Sequence, residues 1–546
     1  MLATILAVIA LPLAIGAWWL LKDLIIRSPL DNIPGPRSPS WLSGHLERLF
    51  HRHNGWKLHN ELSDNYSGVA RINGALGKRI LYLFDPTALH SVIIKDQQFY
   101  EEASFSISFN NLMFGPGLVS TLHDQHRKQR KMLNPVFSIA HMRHMTPIFY
   151  QVAHKLRSGI ERQVRQSPDD VDVLNWAGRT ALELIGQGGL GYSFDPLVED
   201  AKNKYGDVIK ATLPAMFSLG GLLFLTPYVA NLGPPAFRRW VLDNLIPNPK
   251  IQYFKGLVDY MTKQAKDLIA MKRLAFEAGD EAVMQQVGEG KDIMSILMRA
   301  NMVASESEKL TEEELLGQMT TLIFAATDTT SGALAQIFQL LAQHPDVQER
   351  LREEILQAGC GQDIPYDQVV DLPYMDAVCR ETLRLYPPAT DVYRDSTKDM
   401  VLPLSKPIRG VDGKYMNELA VPKDTRIIVA IRACNRNKDI WGEDAHEWKP
   451  ERWLSSLPSS VTDARVPGVY SNMMTFLGGG RSCIGFKFSQ LEMKVVLSVL
   501  LGSFKFSLSD KEVVWNLAPA KYPTVGKTST KPSMPMKVEL LKNTSS

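Results

Sequence analysis

FLGGGRSCIG, Phe476 to Gly485, sets one cysteine in a glycine-rich loop that runs straight into a helical pattern. A helix beginning near Ile484 would turn unpaired N–H groups and the positive end of its dipole towards the Cys483 sulfur, favouring thiolate over thiol. Gly478, Gly479, Gly480 and Gly485 allow sharp turns and a close approach to a flat ligand. The forked guanidinium of Arg481 suits a carboxylate, and Phe476 is spaced to pack beside the sulfur.

The segment resembles the haem-binding loop of the cytochrome P450 superfamily, F-x-x-G-x-R-x-C-x-G, matched at Phe476, Gly479, Arg481, Cys483 and Gly485. The resemblance extends over nearly the whole chain and has the style of fungal microsomal members. It implies a mainly α fold with small β-sheets: a single large haem domain behind an N-terminal transmembrane helix. It also implies haem (iron protoporphyrin) as cofactor, with Cys483 as axial ligand of the iron and Arg481 on a propionate.

Composition agrees with this organisation. At 546 residues the chain exceeds the size at which single cores usually divide, yet apart from its N-terminal part it holds no long linker and no repeat. Cys360, Cys379, Cys434 and Cys483 form no Cys-x-x-Cys pair, which argues against a zinc site or a disulfide framework. A net charge of +3 is too small to imply nucleic-acid binding.

Residues 1–21 carry no charge and are long enough to span a bilayer, so a transmembrane signal anchor is expected there. Lys22, Arg27 and Arg37 follow, which under the positive-inside rule leaves the remainder in the cytosol, on the endoplasmic reticulum membrane in a single-pass arrangement. Residues 22–44 read as a basic and proline-rich hinge, stiffened by Pro34, Pro36 and Pro39, and residues 45–546 as the haem domain. Gly68 to Phe84 reads as a small sheet.

Leu122 to Phe137 reads as a basic helix with His126 and Arg130 on one face. The resemblance gives this pair the haem propionates, with His126 standing where Trp is commoner. Arg127, Lys128, Arg130 and Lys131, with Arg143 and Lys487, would form a positive patch for an acidic flavoprotein. The longest helical pattern, Thr311 to His344, opens with a Thr311/Glu314 capping box and carries FAATDTTSG at its centre. Asp328, Thr329 and Thr330 are costly to bury and can loosen the helix, opening a groove for dioxygen and water. The segment is similar to the family's A/G-G-x-D/E-T-T, with Ala326 in place of Gly; the similarity implies that Thr329 and Asp328 are catalytic, Asp328 as the proton relay.

In ETLR, Glu381 and Arg384 are neighbours on one helix face. WKPERW supplies Arg452 as the third member of the family's structural Glu-Arg-Arg network, with Trp453 where Phe is usual. YPPATDVYR adds Arg394 as a further propionate candidate and a pocket wall at Thr390 and Val392. The Phe105 to Leu118 loop, with Phe105, Phe109 and Phe114, and the apolar stretch Leu213 to Leu232 read as lid and roof of an apolar pocket that also includes Ala325.

The resemblance implies insertion of one oxygen atom from O2 into a lipophilic small molecule, with a terpenoid or sterol-like secondary metabolite expected. The chain shows no nicotinamide or flavin site of its own. NADPH and flavins therefore act through a separate NADPH-cytochrome reductase, with cytochrome b5 as a further candidate donor. Two alternatives remain open: a haem-thiolate isomerase or dehydratase, and a membrane-anchored haem carrier or sensor.

Overall fold

The computed structural model describes Trp18, Lys22 and residues 25–198, 203–284 and 290–541. The expected anchor over residues 1–21 falls, apart from Trp18, outside the described residues. Among the described residues no single helix is long and apolar enough to cross a membrane. The elements are mainly helical with small sheets, as the sequence suggests. They group into two units, one of Met1–Ala103, Asp391–Ala445 and Pro458–Ser482, the other of Ser104–Thr390, His446–Leu457 and Cys483–Ser546.

The first unit is built on a five-stranded sheet. Val69–Asn73 and Arg79–Leu83 form the expected antiparallel hairpin, and Arg79–Leu83 continues parallel to Arg426–Val429. Val392–Ser396 and Tyr100–Glu102 complete the sheet with antiparallel pairs. Its β-branched and aliphatic side chains, Ile72, Leu81, Ile427 and Val429 among them, are fully buried, which is why the strands hold this register. The proline-rich stretch is docked onto this sheet and is no free linker. Arg71 N–H donates to the Pro34 carbonyl at 2.9 Å, and a Cβ on Gly35 would lie 1.8 Å from the Arg71 oxygen.

The second unit is helical. Its longest helix, Glu312–Gln343, starts as expected: Thr311 Oγ1 accepts from the Glu314 N–H, and the Glu314 carboxylate accepts from the Thr311 N–H at 2.9 Å. Its neighbours include the helices Val173–Leu184, Lys204–Ser218 and Phe486–Leu501. The segment read as a loop after Phe105 is instead the helix Ser104–Phe114. Its aromatic side chains, spaced four and five apart, bury against other rings, and tertiary packing overrides the weak helical propensity of its Ser, Phe and Asn residues.

Candidate active site

In the second unit, the helix behind the cysteine begins at Phe486, two residues later than expected, with Gly485 at its N-cap. Cys483 remains solvent-accessible but sits in a recess, whereas Cys379 and Cys434 are buried. Enclosure pushes the Cys483 thiol up, against the Gly485 N–H bonded to its sulfur and the Arg130 charge facing it. A cationic metal bound to the sulfur would favour the thiolate against this burial. Cys379 is pushed up to about 12 by burial and offers no competing thiolate.

Arg130 stands on the helix His123–Leu133, its charge acting on Cys483 and its Nε donating to Asn134 Oδ1 at 3.2 Å. His126 lies on the same helix, buried at 7 % exposure. The basic stripe of this helix differs from its sequence reading. Lys128 reaches Glu314 at 3.2 Å and the Lys309 carbonyl at 3.0 Å, Lys131 pairs with Glu308 at 2.6 Å, and Arg127 with Asp124 at 2.6 Å. Arg143 is held bidentately by Asp367. Acidic partners, Glu308, Glu314 and Asp367 from distant stretches and Asp124 from the same helix, thus offset much of the positive patch expected there.

The long helix continues unbroken through Ala325 to Thr330, without the loosening expected from its polar residues. Thr329 Oγ1 donates to the Ala325 carbonyl at 2.7 Å and Thr327 Oγ1 to the Ile323 carbonyl at 2.7 Å, so both hydroxyls are satisfied within the helix. Ala325 and Thr329 share an open face. Asp328 faces elsewhere, into a small pocket lined also by Lys210, Leu213, Ser331, Lys521 and Tyr522. Burial pushes its carboxyl up to about 7, opposed by the Lys210 charge.

Glu381 and Arg384 form a fully buried bidentate pair at 2.9 and 2.8 Å. Arg452 Nε adds a contact to Glu381 at 3.4 Å, as expected. Sequence reasoning missed two more donors to the same carboxylate, the Trp453 indole N–H at 2.9 Å and the Lys449 backbone N–H at 3.1 Å. Trp453, standing where Phe is usual, therefore adds a hydrogen bond that Phe could not make.

The lid meets the roof through Phe105 and Phe224, and packs through Phe109 and Phe114 on the helices Pro249–Glu277 and Glu312–Gln343. Ring centroids lie 4.7 Å apart for Phe105 and Phe224, 5.6 Å for Phe109 and Phe254, and 4.9 Å for Phe114 and Phe324. Thr226 Oγ1 also donates to the Phe105 carbonyl at 3.2 Å. Thr390 is buried in this unit.

In the first unit, Arg394 and Arg481 converge on Glu102, at 3.2 and 3.0 Å. Phe476 packs edge-on to Tyr470 with centroids 5.7 Å apart, and Val392 is half-buried in its strand. Two of the loop glycines are required by the protein backbone itself, Gly479 also by the sharp turn expected there. A Cβ on Gly478 would lie 2.1 Å from the Pro467 oxygen, and one on Gly479, at φ +64°, 2.2 Å from the Ile93 oxygen, so protein backbone already demands both.

In the second unit, an accessible thiol with an arginine facing it fits haem held through sulfur; the first unit, taken by itself, holds a pair of guanidiniums suited to carboxylates. These are the features of a haem-thiolate protein. The cytochrome P450 family model matches residues 34–534. Cytochrome P450 monooxygenase 91 of Postia placenta is 56% identical over 97% of this chain and 98% of its own. Cytochrome P450 monooxygenase 219 of the same fungus is 51% identical over 99% and 100%. The ganoderic acid synthetase of Ganoderma lucidum is 48% identical over 96% of each chain. The chain belongs to the cytochrome P450 family and is a P450 monooxygenase, a family that implies haem as cofactor and O2 as co-substrate.

Proposed function

We propose that this monooxygenase inserts one atom of O2 into a lipophilic small molecule of terpenoid or sterol-like skeleton, with electrons from NADPH through a separate reductase. The observation that carries the substrate class is the packing of Phe105, Phe109 and Phe114 against Phe224, Phe254 and Phe324, an apolar aromatic cluster on the expected lid. Similarity to a relative named for ganoderic acid, a triterpenoid, supports the same class.

When bound through sulfur, haem supplies the O–O cleavage and C–H oxidation chemistry. Cys483 would hold the iron, with Phe476 and Gly485 as further haem-binding residues of its loop. Arg130, Arg394 and Arg481, with His126, would hold the propionates. Thr329 presents its hydroxyl oxygen beside Ala325, and Asp328 moves protons between its pocket and that face. Glu381, Arg384 and Arg452 keep their part of the fold rigid.

We also place the chain on the endoplasmic reticulum membrane through the anchor at residues 1–21. Leu222, Leu225, Tyr228, Leu232 and Trp240, each about half exposed or more, would add an apolar contact to the bilayer surface.

The test is a product screen by mass spectrometry with NADPH, reductase and candidate terpenoids. Oxygen- and NADPH-dependent hydroxylated products are expected. Conversion without either would favour a haem-thiolate isomerase or dehydratase, and haem binding without turnover a carrier or sensor.

A further inference from the structure

Glu102 ends the strand Tyr100–Glu102, directly opposite Arg394 in antiparallel register. Its carboxylate is divided between two cations, Oε1 lying 3.2 Å from Arg394 Nη2 and Oε2 3.0 Å from Arg481 Nε. All three side chains are largely withdrawn from water, at 5 % exposure for Arg394, 19 % for Arg481 and 18 % for Glu102.

Two guanidiniums drawn together away from solvent repel each other unless an anion lies between them. Nothing local brings these two together, since Arg394 sits within a strand and Arg481 in the loop before Cys483. That loop is tied to the segment leading to Glu102. Gly480 N–H donates to Gln97 Oε1 at 3.0 Å, and Gly479 packs on the Ile93 carbonyl. Arg394 Nη1 is spent on the Tyr393 carbonyl at 3.0 Å. Glu102 is thus the contact common to both arginines, and it fixes the direction of each planar fork.

We propose that Glu102 is a positioning residue for haem: a fixed carboxylate shared by Arg394 and Arg481 that aims both guanidiniums at the propionates and holds down the reduction potential of the bound haem. The proposal rests on the reading that these two arginines hold propionates. Its electrostatic consequence has one sign. Reduction adds an electron, which a nearby fixed negative charge opposes, so replacing the carboxylate by an amide eases it.

Spectroelectrochemical titration of haem-loaded Glu102→Gln, Glu102→Asp and wild type tests this. Glu102→Gln is expected to shift the reduction equilibrium at least threefold towards ferrous haem, where tenfold corresponds to about 59 mV for one electron. Glu102→Asp, which keeps the charge, stays near wild type. Haem lost from Glu102→Gln but retained by Glu102→Asp at the wild-type potential also supports a required charge. Unchanged potentials in both variants overturn the proposal, as does loss of haem from both together, which a residue needed only for folding would produce. Haem transfer to apomyoglobin from Arg394→Gln and Arg481→Gln separates the underlying reading. Wild-type transfer rates there defeat the propionate assignment itself, whereas accelerated transfer with an unchanged Glu102→Gln potential defeats only the role of Glu102.

Discussion

Lys210 and Asp328 line the same small pocket, one from the helix Lys204–Ser218 and the other from Glu312–Gln343. The Lys210 ammonium donates to the Leu174 carbonyl at 2.8 Å and the Asn175 carbonyl at 3.3 Å. Its stem crosses Gly178 so closely that a Cβ there would lie 2.2 Å from Lys210 Cε. Burial brings this lysine down to about 8 and Asp328 up to about 7, each charge partly countering the burial of the other. Asp172 and Asp207 also favour the Lys210 charge, and Arg179 opposes it.

A carboxyl near 7 exchanges its proton readily at neutral pH, as a relay requires. Replacing Lys210 by Met removes the charge that favours the carboxylate, so Asp328 titrates higher. The ratio of product to hydrogen peroxide per NADPH, which is insensitive to the rate of electron supply, should then hold to higher pH before declining. An unmoved pH profile in Lys210→Met would disconnect the two residues functionally.

Asp328 also affects stability. Its folded value, about 7, lies above the ordinary 3.8, so between these values the unfolded chain gives up a proton that the folded chain keeps, and stability falls as pH rises through that window. The cost of this burial is at most about 4 kcal/mol at neutral pH. Asp328→Asn should raise the Tm at pH 7.5, with the gain shrinking towards pH 4, while product formation falls. A gain independent of pH would contradict the assignment.

Thr329→Ala deletes a hydroxyl satisfied by the Ala325 carbonyl, so the helix and the haem content should survive. The loss should appear instead as a larger share of NADPH diverted to hydrogen peroxide, read by oxygen and peroxide balance.

Glu381→Gln breaks a pair that is wholly buried and leaves Arg384 uncompensated, a loss of about 3–5 kcal/mol. The yield of haem-loaded protein should collapse. Trp453→Phe removes only the indole N–H bonded to Glu381 while keeping an aromatic ring beneath Arg380, so about 1–2 kcal/mol is expected. Thermal unfolding ranks the two; equal losses would mean that the Trp453 indole matters to the network as much as the Glu381 charge, against this ranking.

The features legible in the sequence were those coded locally. The Thr311/Glu314 capping box and the Glu381/Arg384 pair each lie within one helical turn, and the Gly68 to Phe84 hairpin joins two strands adjacent in sequence, so propensity and spacing suffice. Glu102 was not legible, because its partners Arg394 and Arg481 lie far along the chain and meet it only through strand register and a pinned loop. Lys128 and Lys131 of the basic stripe read as free charge for a similar reason, their partners Glu314 and Glu308 belonging to a distant stretch. The Thr329 hydroxyl was expected to loosen its helix but bonds within it, a choice between two nearby acceptors that spacing does not decide.

Haem ligation by Cys483 underlies every step of the proposed chemistry. The carbon monoxide difference spectrum of the reduced protein tests it most directly, recorded for wild type and Cys483→Ala in membranes from matched expressions. A strongly red-shifted Soret band in wild type and its absence in Cys483→Ala are expected; the same band retained by Cys483→Ala would contradict the account.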